Sequence, residues 1–562
     1  MTEFPEDEGR LGLEKKLRQI IKDQIQKITR KVKSVEKVEQ VESAENVKEK
    51  PQGRGKEKVE EKAEHKMEDD MEDDMEEPDS FAKVRETIKP ENLRLLALDL
   101  RRQREGVPGR PYVKSKVDCQ IKPENLTGSS HILYQIEFSD NVRWLLKVPA
   151  NGHKDDFDKL SASCLRAEAL TMRLIKRKTT IPIPEVYGFD DTCDNRISCA
   201  FIMMEHITGQ PLQDVWFNQD NAPELLEQRR SRALHDIAKA MLQLNEFTSF
   251  RGGTILFDED ETPSRNTGPF RIMDMTAMFD QVEEASGSGN IYSEVQPVSD
   301  ARGFLTCMLH KRMTPRDQFG SGFELLLHLY IDFAVLENQS LLKEYMAGNK
   351  DQNRFVLTHP DFDIQNFIVS EDGSLRGVID WDGAITTPRG IAGNESYPGW
   401  LTRDWDAMCY AYDPESPNNL ENSPSELRFY RDMYQRIIRE LTGSDLAAMM
   451  TARTLVFDNL SIATHNPIPS SHIIDRIFEE IKAKVSKGLE GAQREEERAK
   501  EEELSEEDED GEEDDGEEDE EMEEYNGTLD LYRVCMDLAE GLLSDTRREL
   551  LAQGFRALFH EQ

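Results

Sequence analysis

Between Leu357 and Ala384 the chain gathers residue types that can work together: Leu357-Thr-His359-Pro360-Asp361-Phe-Asp363-Ile-Gln-Asn366, then Gly377-Val-Ile-Asp380-Trp-Asp382-Gly-Ala. A carboxylate and a carboxamide stand five positions apart in a loop between short strands, and a second carboxylate closes the next strand. Phosphoryl transfer needs such a set: one carboxylate to orient and deprotonate an acceptor hydroxyl, and hard oxygen donors to hold a divalent cation on the phosphates. Asp361 is then the base, and Asn366 and Asp380 are the metal ligands. The structural alternative, in which these residues only cap turns, requires three coincidences in register with Asn366.

The pattern His-x-Asp-x-x-x-x-Asn followed by Ile-Asp-Trp-Asp resembles the catalytic and metal loops of the aminoglycoside phosphotransferase/choline kinase branch of the protein-kinase-like superfamily. It is most similar to the fungal proteins labelled as aminoglycoside phosphotransferase domains. Pro360-Asp-Phe-Asp-Ile-Gln-Asn366, Thr387-Pro-Arg389 and Tyr397-Pro-Gly-Trp-Leu-Thr-Arg-Asp404 carry the same flavour. The resemblance covers about residues 115–490 and is strongest over 355–410. It implies an α+β, two-lobe kinase-like fold and the use of ATP and Mg2+. Lys147, in Trp144-Leu-Leu-Lys-Val148, would meet the nucleotide phosphates, with Glu168 on the next helix as its partner. Gly128-Ser129-Ser130 stands where a phosphate-covering loop belongs, and Glu205 lies in the strand that would meet the adenine. His359 reads as a structural brace of the metal loop. Asp363 would line the acceptor site or be solvated, Asp382 would support the loop, and Asp404 and Asp406 would brace the catalytic loop or cap the next helix. Relatives often have Gly at the position of Pro360; proline removes a backbone donor and stiffens the loop.

The elements that must position these residues are legible as patterns. Strands are expected at Val117–Ile121, Ile132–Phe138 and Arg143–Val148, with Ser139-Asp-Asn141 as the turn between the last two. A helix at Ser161–Lys178 ends before Ile181-Pro-Ile-Pro, and strands at Val186–Phe189 and Ala200–Glu205 complete a small sheet-rich lobe. Beyond Gly209 the reading is mostly helical: Pro223–Phe247, Phe323–Ala347, Ser425–Thr442, Asp445–His465 and His472–Lys487. A β-like piece interrupts it at Phe355–Thr358, Phe367–Ser370 and Gly377–Trp381, with a turn at Glu371-Asp-Gly373. The domain plan is a charged region without order over 1–80, a helical lead-in over 81–112, an N-lobe over 113–207 and a C-lobe over 208–490 with its loops at 357–384. An acidic insertion without structure follows over 491–526, and then a helical element over 527–562 that packs on the C-lobe. Within the first region, Ile21, Ile25, Ile28, Val32 and Val35 give a two-heptad apolar seam, an amphipathic or coiled-coil helix over 13–38.

Charge narrows the function. The formal net charge is −41 over 562 residues, but 495–524 holds 22 acidic residues and 2 basic ones, and 68–79 holds 9 acidic residues and none basic. The rest is only mildly acidic, which argues against a nucleic-acid surface and leaves the tracts as candidate protein-partner sites beside the N-terminal helix. No apolar run reaches the ~18 residues of a membrane span, and Met1-Thr-Glu-Phe-Pro-Glu lacks the parts of a signal peptide. The expectation is a cytoplasmic protein, with the nucleus as an alternative and no integral membrane contact. Seven scattered cysteines without CxxC spacing read as reduced thiols.

Three functions follow. First is an ATP- and Mg2+-dependent transfer of a phosphoryl group to a hydroxyl of a small molecule, whose pocket would come from about 215–340 and 383–410. Second is a kinase-like scaffold with weak or no catalysis. Third is phosphorylation of protein Ser/Thr, which the lack of an Ala-Pro-Glu segment after Asp380 disfavours.

Overall fold

The computed structural model describes residues 79–105, 117–273, 292–311, 321–347, 354–407, 409–416, 419–504 and 529–560. The expected helix over 13–38 and the acidic residues 68–78 and 505–524 lie outside them. Two helices, α1 (Ala82–Thr87) and α2 (Pro90–Glu105), lead into β1 (Cys119–Ile121), β2 (Leu126–Thr127), β3 (His131–Phe138) and β4 (Arg143–Pro149). After α3 (Lys159–Lys178) come β5 (Val186–Asp190) and β6 (Phe201–Glu205), and the strands form one antiparallel sheet ordered β1-β3-β4-β6-β5, with β2 paired to β3. Alternation sets its faces. In β3 every second residue, Ile132, Tyr134, Ile136 and Phe138, is buried, and this face packs under α1 and α2 through Val84, Leu93 and Ala97. The opposite face packs on α3, which Asp158 caps by accepting from the Ser161 N–H at 2.8 Å.

The second lobe starts with β7 (Gln210–Pro211), α4 (Leu212–Trp216) and α5 (Pro223–Met241), followed by a 3-10 turn at Leu242–Glu246. Then comes a departure from the sequence reading. Where a helical lobe is expected, the chain forms β8 (Thr248–Ser249) and two hairpins, β9 (Thr254–Phe257) with β10 (Pro263–Gly268), and β11 (Phe270–Met273) with β12 (Tyr292–Val295). These strands are short, and polar residues and Gly dilute any alternation over Thr254–Gly268, so no period marks them. Residues 274–291 are outside the described ones.

Helices α6 (Ala301–Lys311) and α7 (Ser321–Met346) precede β13 (Phe355–Thr358), β14 (Phe367–Val369), β15 (Leu375–Val378) and β16 (Ile385–Pro388). β13 lies between β16 and β8, and β14 between β15 and β7. The lobe closes with α8 (Pro424–Thr442), α9 (Asp445–His465) and α10 (Pro467–Leu504), and after 505–528 with α11 (Leu531–Glu540) and α12 (Asp545–His560). A capping box at Ser423/Glu426 starts α8 and Gly443, at φ 65°, ends it. α10 runs to Leu504, into the segment expected to lack structure: Gln493–Leu504 is built almost wholly from Glu, Lys, Arg, Ala and Leu, all strong helix formers. In α12, Leu551 and Phe555 are fully buried, and the Phe555 ring meets Tyr330 of α7 at 5.6 Å. Gly554 allows the approach of α10, since a Cβ there would lie 2.6 Å from Ile481.

Candidate active site

Lys147 sits in the middle of β4, its Nζ 2.7 Å from Glu168 Oε1 on α3 and 2.8 Å from Asp380 Oδ1 in the loop after β15. Lys147 and Glu168 are each 5% exposed. Burial alone would favour a neutral amine, but the two carboxylates outweigh it and hold Lys147 charged, above its ordinary range. Burial likewise pushes the Glu168 carboxyl up against the pull of the lysine. For Asp380 burial also works upward, but the ammonium dominates and holds the carboxyl down at about 2.

The loop carrying Asp380 is strained. Asp380 itself has φ 60° and Gly383 has φ 82°, and left-handed backbone at a non-glycine residue persists only where its surroundings enforce it. Here Trp381 enforces it. Its side chain is fully buried, its Nε1–H donates to Val378 O at 3.1 Å, and its ring meets His359 edge-on at 4.8 Å.

The catalytic-loop candidates converge on the same place. The Asn366 amide donates to both the Asp361 carboxylate and the Asp361 carbonyl at 2.8 Å, and Gln365 donates to the same carboxylate at 2.9 Å. His359 Nδ1 accepts the Asp361 N–H at 3.2 Å, and its Nε2 is paired with Ile379 O at 2.9 Å. The neutral tautomer with the proton on Nε2 satisfies both bonds. His359 thus links the two loops, and the Ile379 N–H donates to Asn366 O at 3.0 Å as a second link. Desolvation, with the negative charge of Asp363 behind it, raises the Asp361 carboxyl above its ordinary value, which suits a base that takes up a proton.

The other candidates divide. Asp363 caps the turn at Ile364 and pairs with Arg403, which also reaches Glu421. Asp404 accepts a bidentate pair from Arg431 of α8 at 2.8 and 3.2 Å, tying the segment after Trp400 to the helical lobe. The Glu205 carboxylate is engaged by the Glu185 N–H at 3.1 Å and by Lys176 at 3.5 Å, so its side chain does not join the cluster. Gly128, Ser129 and Ser130 form the tight turn between β2 and β3, closed by Gly128 N–H to His131 O at 2.9 Å. Among the described residues a Cβ on Gly128 would meet only that oxygen, at 3.8 Å, so no close backbone approach among them demands the glycine.

Sequence reasoning missed Arg271 and took His131 only as the end of the phosphate-covering turn. Arg271, on β11, reaches Asp382 Oδ2 at 2.5 Å, and His131, at the start of β3, lies 3.8 Å from the same oxygen. Burial, helped by the charge of Lys147, drops the His131 imidazole to about 3, so it is neutral. No local signal marks Arg271 in Pro269-Phe-Arg-Ile-Met273, because its partner is 111 positions away.

Among the described residues two donor sets could hold a cation. His131, Glu168 and Asp382 have donor atoms within 4.8 Å of one another, but Lys147 and Arg271 already neutralise the carboxylates, which disfavours a cation there. The set of Asn366 and Asp380 suits Mg2+ better. The Asn366 nitrogen is used on Asp361, which leaves its amide oxygen as a hard donor, and Asp380 is ionised.

A β-rich lobe whose strand lysine is tied to a helix glutamate and to the aspartate of a loop in a helical lobe is the arrangement of the protein-kinase-like fold. Residues 127–390 match the sequence profile of the phosphotransferase enzyme family. The chain's relatives include altered inheritance of mitochondria protein 9, mitochondrial, of Candida albicans, 26% identical over 25% of this chain and 23% of the relative. A subtelomeric hrmA-associated cluster protein of Aspergillus fumigatus is 22% identical over 45% of this chain and 54% of the relative. The chain thus spans between about a quarter and about a half of the length of these curated relatives. Among solved structures, Plasmodium vivax ethanolamine kinase aligns over 72% of this chain and 96% of its own, at 11% identity and a TM-score of 0.34, a likeness too slight to carry an argument. Among the described residues no helix is long and apolar enough to cross a membrane.

Proposed function

We propose that the protein is an ATP- and Mg2+-dependent phosphotransferase acting on a hydroxyl of a small molecule. The observation that carries this reading is Lys147, which joins Glu168 of one lobe to Asp380 of the other. Lys147 would bind the nucleotide phosphates, with Glu168 holding it in place. Asn366 and Asp380 would hold Mg2+, which when bound neutralises phosphate charge. Asp361 would orient the acceptor hydroxyl and take its proton as the oxygen attacks the terminal phosphorus, while the bond from that phosphorus to the bridging oxygen breaks and ADP leaves. The work of the protein is positioning and charge compensation.

A metabolite-library screen for ATP consumption tests the reading, with Asp361→Ala as control. The control is expected to lose about 10²–10⁴-fold in turnover while its nucleotide-induced thermal stabilisation is kept; full activity would exclude Asp361 as the base. A second reading, a kinase-like binding protein without turnover, draws support from the pairing of Asp380 and Asp382 with the chain's own cations. It predicts nucleotide binding with no Mg2+-dependent stabilisation. The names of the yeast relatives also make a mitochondrial location a proposal beside the cytoplasmic one, to be decided by imaging the tagged full-length protein.

A further inference from the structure

The turn at Gly128-Ser129-Ser130 is a poor phosphate cradle: it is short, holds one glycine, and none of the described residues packs closely on that glycine. A nucleotide bound there needs another source of positive charge besides Lys147. The hairpin of β11 and β12 brings one. Arg271 is 14% exposed at its side chain and lines a single cavity together with His131, Lys147 and Glu168. Its guanidinium lies 4.5 Å from the centre of the Tyr292 ring, and the Tyr292 hydroxyl is 3.5 Å from Ser130 Oγ. The hairpin therefore touches the phosphate turn at its far strand and the metal loop at its near one. Asp382 engages Arg271 through a hydrogen bond of 2.5 Å, whereas a guanidinium has five N–H donors in a fork that matches phosphate oxygens.

On the phosphotransferase reading above, we propose that Arg271 is a phosphate-binding residue of this site, supplied by the hairpin and held ready by Asp382, and that it contacts the terminal phosphoryl group of the nucleotide. A cation so placed would stabilise the charge on the transferring group, the part an arginine plays when it enters other phosphoryl-transfer sites. His131, neutral and next to Asp382, adds no competing charge. The acidic partner keeps the buried arginine compensated until a more highly charged anion arrives.

The test is the affinity of the full chain for two probes, a non-hydrolysable ATP analogue with Mg2+ and ADP with Mg2+, measured calorimetrically for the parent and for Arg271→Gln. Contact with the terminal phosphoryl group predicts a loss of about tenfold or more for the ATP analogue and no more than about twofold for ADP, with Arg271→Lys between the parent and Arg271→Gln. A merely structural arginine would weaken both probes equally or neither. If Arg271→Gln does not fold, the double variant Arg271→Gln/Asp382→Asn keeps a hydrogen-bonded pair without the charges and is expected to show the same selective loss. An unchanged ratio between the probes in any folded variant, with the parent binding both, overturns this proposal alone. A parent that binds neither probe overturns it together with the phosphotransferase reading.

Discussion

Asp380 and Asp382 are two positions apart in one loop, flank the same buried tryptophan, and have opposite surroundings. Asp380 is exposed, sits at positive φ and takes its countercharge from Lys147 in the small lobe. Asp382 is 16% exposed at its side chain and takes its countercharge from Arg271, on a hairpin inserted in the large lobe. One residue type in one motif therefore has two environments, decided by which distant element supplies the cation. An open carboxylate can exchange its lysine for a metal ion, whereas a buried one needs a cation kept close beside it.

Substitutions can break this contrast. The largest effect is expected from Asp380→Ala, which should abolish the Mg2+-dependent part of nucleotide stabilisation in a thermal-shift titration and leave turnover at background. Asp382→Ala should instead keep that Mg2+ dependence and lower stability by about 3 kcal/mol, since it strands a buried guanidinium; denaturant unfolding would measure this, and loss of the Mg2+ response would erase the distinction. Lys147→Met strands Glu168 in the same way and should cost a similar ~3 kcal/mol, largely recovered in Lys147→Met/Glu168→Leu, where neither charge remains.

The smallest effect concerns pH. Unfolded, His131 titrates near its ordinary value of ~6.5; folded, it does so near 3. Between these values the unfolded chain binds the extra proton, so the stability this neutral histidine contributes is fully present above about pH 6.5 and is lost as pH falls toward 3. His131→Asn should flatten that part of the melting-temperature profile relative to the parent, and parallel profiles would remove His131 from the buried cluster.

The small lobe was read almost strand for strand, because each strand carries its own alternation and each turn its own residues, as in Asn141 at φ 64°. The chemistry-bearing residues Asp361, Asn366 and Asp380 were legible for a related reason: fixed spacing along a loop and hairpin makes them near neighbours whatever the rest of the chain does. The hairpins over 254–295 were not legible, since short polar strands have no period to detect, and neither was the helical run of α10 into the acidic segment, where strong helix formers follow one another without an apolar period. Arg403 beside Asp363 and Lys176 beside Glu205 were not legible either, because neither partner is a near neighbour in the chain.

Most local elements, and the loop that gathers Asp361, Asn366 and Asp380, follow from interactions between residues close along the chain and can be read there. Which cation answers which carboxylate depends on how distant elements pack. Lys147 reaches Asp380 across 233 positions and Arg271 reaches Asp382 across 111, and Coulomb attraction depends on distance in space and on burial, neither of which is written in the order of the residues.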